Sequence, residues 1–196
     1  MDGLSISTIF QNQYPFLTCS EVEQLMKIST IREIPAKKPI LLAGAPGRAM
    51  YFIAKGMVRG YLTEESGEER TLFLCLPQTV FGPPGILKGE VTSKYTFEAI
   101  EKSTLIEFPY AEFIQLTETQ LSYAHLWTEI LKANLLVLVF RVELLAGKNP
   151  EERYNILIKR QPQLFQSAYH KYIANFLGIT PNSLSRIIKR KTGTRN

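Results

Sequence analysis

His170-Lys171-Tyr172-Ile173-Ala174-Asn175-Phe176-Leu177-Gly178-Ile179-Thr180-Pro181-Asn182-Ser183-Leu184-Ser185-Arg186-Ile187-Ile188-Lys189-Arg190 carries two amphipathic helical patterns joined by a single glycine. In the first, Ile173 and Leu177 share an inward face, and Ala174 is small enough for a second helix to approach closely. Gly178 ends that helix with a residue at ease in the left-handed conformation, and Ile179 plugs the corner. Thr180 then caps a second helix with Pro181 at its first position, and Leu184, Ile187 and Ile188 form its apolar stripe. The outer face keeps Asn182, Ser183, Ser185, Arg186, Lys189 and Arg190. These are side chains suited to a DNA major groove: hydroxyls donate to phosphate, Asn pairs with adenine, and Arg makes a two-pronged contact to guanine. The spacing Ala174, Gly178-Ile179, Leu184-Ser185-Arg186 is specific for a helix-turn-helix. The expected DNA-facing set is Lys171, Thr180, Pro181, Asn182, Ser183, Ser185, Arg186, Lys189 and Arg190.

Charge supports this expectation. The 196-residue chain has a formal charge of +5, but it is unevenly spread. Residues 1–146 hold 13 Lys and Arg against 16 Asp and Glu, whereas residues 147–196 hold 10 against 2. From Lys159 onward there is no acid at all, the electrostatic footprint of a segment that meets a polyanion. Upstream, Asn149-Pro150-Glu151-Glu152 reads as a cap, a first-turn proline and two acids complementing the helix dipole, so a new domain starts there.

Before that boundary the pattern from Gln120 to Ala146 has no Gly or Pro and predicts one helix of about 26 residues, roughly 39 Å long. Its stretch Leu135-Leu136-Val137-Leu138-Val139-Phe140 is apolar all the way round, whereas a helix lying on one domain needs a single apolar stripe. Burial inside one chain is one explanation; a symmetry mate is the better one. The expected interface is Leu121, Ala124, Trp127, Leu131, Leu135, Leu138, Val142 and Leu145.

Earlier still the texture is short β-like runs: Ile40 to Leu42, Tyr51 to Ala54, Met57 to Thr63, Arg70 to Leu76 and Thr104 to Phe108. Turn sequences separate them, among them Lys55-Gly56, Glu64-Glu65-Ser66-Gly67 and Gly82-Pro83-Pro84-Gly85, which predicts an antiparallel sandwich or barrel. A helical lead-in over residues 1–30 breaks at Tyr14-Pro15 and restarts at the cap Thr18.

Composition narrows the function classes. The length suits two unequal domains, and 45% hydrophobic residues suffice for a packed core. No run of apolar residues is long enough to span a membrane and residues 1–20 do not read as a secretory signal, so a cytoplasmic location and no membrane partner are expected. Cys19 and Cys75 lack metal or redox spacing, and with only His125 and His170 beside them no metal site or cofactor is expected. Nor is there a nucleophile–base pattern or phosphate loop, which argues against an enzyme.

On these residues the chain resembles the cyclic-AMP receptor protein/FNR (Crp/Fnr) family of bacterial transcription regulators. The landmarks are Tyr51-Phe52-Ile53-Ala54-Lys55-Gly56-Met57-Val58-Arg59, Gly67, Phe81-Gly82, Pro150-Glu151-Glu152-Arg153-Tyr154 and the Ile173-to-Arg190 motif. The resemblance implies an α+β fold. An N-terminal cyclic-nucleotide-binding-like β-roll (an antiparallel jelly-roll) over 1–118 would lead to a dimerisation helix over 119–147. A winged-helix-like helix-turn-helix domain with a reduced wing would follow over 148–196. It implies a homodimer on double-stranded DNA, with RNA polymerase a candidate partner. Two departures stand out. The family places Glu after Phe-Gly for the ribose and an Arg-Ser or Arg-Thr pair downstream for the phosphate. Here the corresponding residues are Pro83-Pro84 and Thr92-Ser93-Lys94-Tyr95. Cyclic AMP is therefore not the expected effector of a pocket formed by Arg70, Phe81, Gly82, Pro83, Pro84, Ser93, Lys94 and Tyr95, and an unknown small molecule takes its place. Little chain follows the second helix, so Lys191 and Arg195 are expected to replace a wing's phosphate contacts. The rival expectation is a ligand- or protein-binding β-roll whose C-terminal hairpin is only structural.

Overall fold

The computed structural model describes residues 3–167 and 169–193. Two helices open the chain, α1 (Gly3–Gln13) and α2 (Cys19–Ile28). The second starts where Thr18 and Glu21 cap each other reciprocally. Eight strands follow: β1 (Thr30–Ile34), β2 (Pro39–Leu41), β3 (Ala49–Lys55), β4 (Val58–Thr63), β5 (Glu69–Cys75), β6 (Val80–Phe81), β7 (Thr96–Ala99) and β8 (Ser103–Pro109). They form two four-stranded antiparallel sheets, ordered β1-β8-β3-β6 and β2-β7-β4-β5. The predicted runs all appear within a residue or two of their expected ends. β1, β6 and β7 carried no clear signal, because β1 is a mostly exposed edge bearing Arg32-Glu33 and β6 spans only two residues. Gly82-Pro83-Pro84-Gly85 is less a tight turn than the lead into a 3-10 helix, Pro84–Lys88.

Between the sheets Ile53, Val58, Phe81, Phe97, Ala99 and Leu105 make an apolar interior. On the outer face of the first sheet, Phe52 and Phe108 meet Ile6 and Phe10 of α1 and Leu25 of α2. Gly56 turns β3 into β4 at φ +96°, and a Cβ there would sit 2.6 Å from the Ser103 Cα, so no larger residue fits.

α3 (Tyr110–Thr119) precedes the long helix α4 (Leu121–Leu145), with extended backbone at Gln120 between them. One side of α4 belongs to its own chain: Tyr123, Leu126, Ile130, Phe140 and Leu144 are buried. From residue 131 to residue 139 every residue is exposed, while the Asn134 amide still donates to the Val80 carbonyl of β6 at 3.2 Å. α5 (Pro150–Arg160) begins at Asn149, whose side chain accepts from the N–H groups of Glu151 and Glu152 while Glu152 reaches back, the expected start signal. α6 (Leu164–Ser167), α7 (His170–Phe176) and α8 (Pro181–Gly193) complete the C-terminal part. Its core of Leu157, Ile173, Leu177 and Leu184 is continuous with Phe140 and Leu144 of α4 and with Met57, Leu74 and Ile100 of the roll.

Candidate nucleic-acid interface

α7, the Gly178 corner and α8 are held from inside. Ile173, Ala174, Leu177, Leu184 and Ile187 are buried, and Ile179 packs half-buried against them. Gly178 takes φ +66°, which lets the Ile179 N–H reach the Ala174 carbonyl at 3.0 Å and closes the end of α7. The Thr180 hydroxyl accepts from the Ser183 N–H at 3.1 Å and starts α8.

With those groups inward, Pro181, Asn182, Ser185, Arg186, Lys189 and Arg190 lie exposed along α8, beside Thr180 and half-buried Ser183. Lys171 is exposed on α7, its ammonium 4.9 Å from the centroid of the Tyr172 ring. The structure thus brings the sequence-predicted residues of α8 onto one surface, with Lys171 on the neighbouring helix. That surface is not free of acid, as the tail composition had implied. Glu151, from the start of α5, lies 3.1 Å from Arg190 and 2.9 Å from Lys191. The Lys191 ammonium, by hydrogen bond and by charge, holds the Glu151 carboxyl below the ordinary carboxylate range. Sequence reading assigned this acid to the helix dipole and missed its reach across to α8. Arg195 lies outside the described residues.

Of the expected seam on α4, Leu121 is 87% exposed, Leu135 60% and Val142 66%, with Leu131 and Leu138 also exposed. Ala124 and Leu145 are half-buried at either end. Trp127 is a correction: its ring packs within its own chain, 5.9 Å from Tyr110 and 5.8 Å from Phe113. The reason is periodicity. Leu121, Ala124, Thr128, Leu131, Leu135, Leu138, Val142 and Leu145 alternate steps of three and four, so Thr128 holds the place given to Trp127.

The expected effector residues separate. Arg70 bridges Glu64 at 2.8 Å and Glu68 at 3.4 Å at the tip of the β4–β5 hairpin, and Lys94 pairs with Glu90 at 3.6 Å in solvent. Each cation has a local carboxylate, and neither is brought to a cavity. Ser93 is satisfied within its own turn, donating to the Tyr95 carbonyl and accepting from the Tyr95 N–H. The roll interior is filled by rings: Phe81 lies 5.1 Å from both Tyr51 and Phe97, and Phe73 lies 5.5 Å from Tyr95. Beside them, between β5, β6 and α4, a cavity of about 190 Å³ opens toward the seam. Phe81, Gly82, Pro83 and Pro84 line it, joined by Phe73, Cys75, Trp127 and Leu131, with Asn134 and Gln161 among the few polar groups. Burial pushes the Cys75 thiol up to about 12, which keeps this wall neutral. Among the described residues no cluster of His, Cys, Asp and Glu could hold a metal ion, and no helix is long and apolar enough to cross a membrane.

The pattern of the family described as cyclic nucleotide-binding domain matches residues 31–120. The cyclic AMP receptor protein of Thermus thermophilus is 29% identical over 178 residues, covering 88% of this chain and 81% of its own. The fumarate and nitrate reduction regulatory protein of Vibrio cholerae is 27% identical, covering 93% and 78%. In three dimensions the chain is similar to FixK2 from Bradyrhizobium japonicum, with a TM-score of 0.74, 19% identity, and coverage of 85% of this chain and 86% of that one. That last likeness concerns the fold.

Proposed function

We propose that this chain, which is similar to the Crp/Fnr transcription regulators, is a sequence-specific, cytoplasmic DNA-binding regulator that works as a homodimer. The observation that carries the reading is the exposed row Asn182, Ser185, Arg186, Lys189 and Arg190 on a helix whose other face is fully occupied by the domain core. Groups suited to bases and to phosphates lie on one exposed helix face, as major-groove recognition requires. Dimerisation rests on the α4 seam, an uninterrupted three-four repeat of exposed or half-exposed residues ending where the helix-turn-helix domain begins. Two copies paired along it present two recognition helices to half-sites about one turn of DNA apart.

The roll acts as the sensor in this reading, with an effector unlike a cyclic nucleotide. The position of the family's ribose-binding carboxylate is proline, and the nearby cations are engaged elsewhere. An apolar cavity of this size suits a small neutral molecule. For any effector to act, it must bind one dimer geometry more tightly than another. Selecting bound fragments from a pool of genomic or random DNA tests the core of the proposal. Enrichment of a near-palindromic site is expected, and recovery of no sequence preference at moderate salt would overturn it.

A further inference from the structure

The C-terminal helices are not tethered to the roll through α4 alone. β5 is an edge strand, and its free side is taken by a side chain rather than another strand. Asn175 of α7 donates its amide to the Glu69 carbonyl at 2.8 Å and accepts from the Thr71 N–H through Oδ1, so it pairs as a strand neighbour would. Arg141 of α4 donates to the Thr71 carbonyl at 3.1 Å and lies 4.1 Å over the Phe176 ring. On the adjacent strand Arg59, with a side chain only 3% exposed, is sandwiched between Tyr61 at 4.0 Å and Tyr172 of α7 at 3.9 Å. Glu69 at 2.7 Å and Glu98 at 3.1 Å hold it there.

We propose that these contacts form a latch between roll and helix-turn-helix, with Asn175 on β5 and Tyr172 on Arg59. The latch sets the spacing and orientation of the two recognition helices in the dimer. The inference rests on the DNA-binding reading above. Three features support it. The latch grips α7, leaving Asn182, Ser185, Arg186 and Lys189 of α8 exposed, so docking positions the reading surface without covering it. The gripping groups are polar and directional, which fixes an angle in a way that apolar packing does not. Among the described residues, the buried side-chain polar atoms without a hydrogen-bond partner are Thr71 Oγ1 and Arg141 Nη1, both on residues of this joint. Buried polar groups left unpaired lower the cost of opening there relative to a fully satisfied interface.

The test uses the full chain and an operator selected by it. Asn175→Ala removes both bonds to β5, whereas Asn175→Asp keeps an acceptor for Thr71 and loses the donor to Glu69. Affinity is measured on the complete operator and on a fragment with one half-site. N175A is expected to lose tenfold or more on the operator and less than twofold on the half-site, with N175D between it and the native chain. Equal losses on both fragments would make Asn175 a structural or DNA-contacting residue and overturn the latch. A gain on the operator would overturn it too, since docking would then oppose binding. Amide hydrogen exchange at Thr71, without DNA, gives a second reading: at least a tenfold loss of protection in N175A while β3 and α5 stay unchanged. Unchanged protection at Thr71 overturns the latch irrespective of DNA. If the native chain selects no DNA, the proposed function fails and the exchange result alone decides the latch.

Discussion

The guanidinium carbon of Arg59 sits 3.9 Å from the centroid of the Tyr172 ring, so a cation from the second sheet is stacked on α7. Burial works against that charge, and the bonds from Glu69 and Glu98 outweigh it, raising the Arg59 pKa. Arg59→Ala leaves Glu98 in a poorly solvated place without its partner and is expected to cost about 3 kcal/mol. Arg59→Lys keeps the charge but not the planar stacking and should recover only part of it. Urea unfolding of the two variants checks both statements.

Asp in place of Leu135 or Leu138 would put an unpaired charge in the middle of the seam. Either substitution should convert the dimer to a monomer, or unfold it, at micromolar concentration. Sedimentation velocity reads the outcome directly, and a native chain found monomeric at that concentration would remove the premise.

Arg186 is exposed within two turns of the start of α8, the place from which a recognition helix, as proposed, would reach base edges. Arg186→Ala should lose about 1–3 kcal/mol on the preferred site and relax the preference at one position per half-site. Lys189→Ala should weaken all sequences together and flatten the dependence on salt. A specificity profile that Arg186→Ala leaves intact would reassign that residue to the backbone.

Glu151 pairs with Arg190 and Lys191, so under the proposed function it would compete with DNA phosphate for them. Glu151→Gln is expected to raise affinity for every sequence by a few-fold at low salt, with the difference shrinking as salt screens it. The sign with pH follows from the lowered carboxyl. A depressed folded value means the ion pair contributes fully above the ordinary carboxylate range and is lost only as pH falls through the lower folded value. Gel-shift titrations from pH 8 to pH 5 should therefore show a constant gap between variant and native chain.

Cyclic AMP and cyclic GMP should fail to bind at micromolar concentration. A charge-assisted hydrogen bond is worth about 1.5–3 kcal/mol, so loss of the family's carboxylate and arginine together predicts a roughly 100-fold to 10,000-fold deficit. Calorimetric titration is the check, and tight binding of either nucleotide would show that other residues had rebuilt the site.

Residues whose role is local were legible in the sequence. Asn149-Pro150 and Thr180-Pro181 start helices by satisfying their own first N–H groups, and Gly178 ends one by its own backbone freedom, so a short window contains the whole cause. Residues whose role depends on what folds against them were not. Arg70 looked available to a ligand because nothing in its own run shows that the hairpin brings Glu64 and Glu68 alongside. Trp127 has an apolar partner in either reading, and only the fold decides that Phe113 supplies it. Asn175 resembles any surface amide until the edge of β5 arrives beside it, more than a hundred positions away in sequence.

That edge strand has a consequence for genetics. Phe73, Leu74 and Cys75 wall the cavity, while Glu69 and Thr71, a few residues back on the same strand, hold Asn175. At about 3.4 Å per residue, the nearest wall residue, Phe73, lies roughly 7 Å along the backbone from the docking residue Thr71. A screen for constitutive or uninducible alleles is therefore expected to return β5 positions whether or not the altered residue ever touches an inducer. Phenotype at Phe73 alone will not map a ligand contact, and assigning one requires an allele that changes which compound is sensed while leaving the uninduced level of expression as it was.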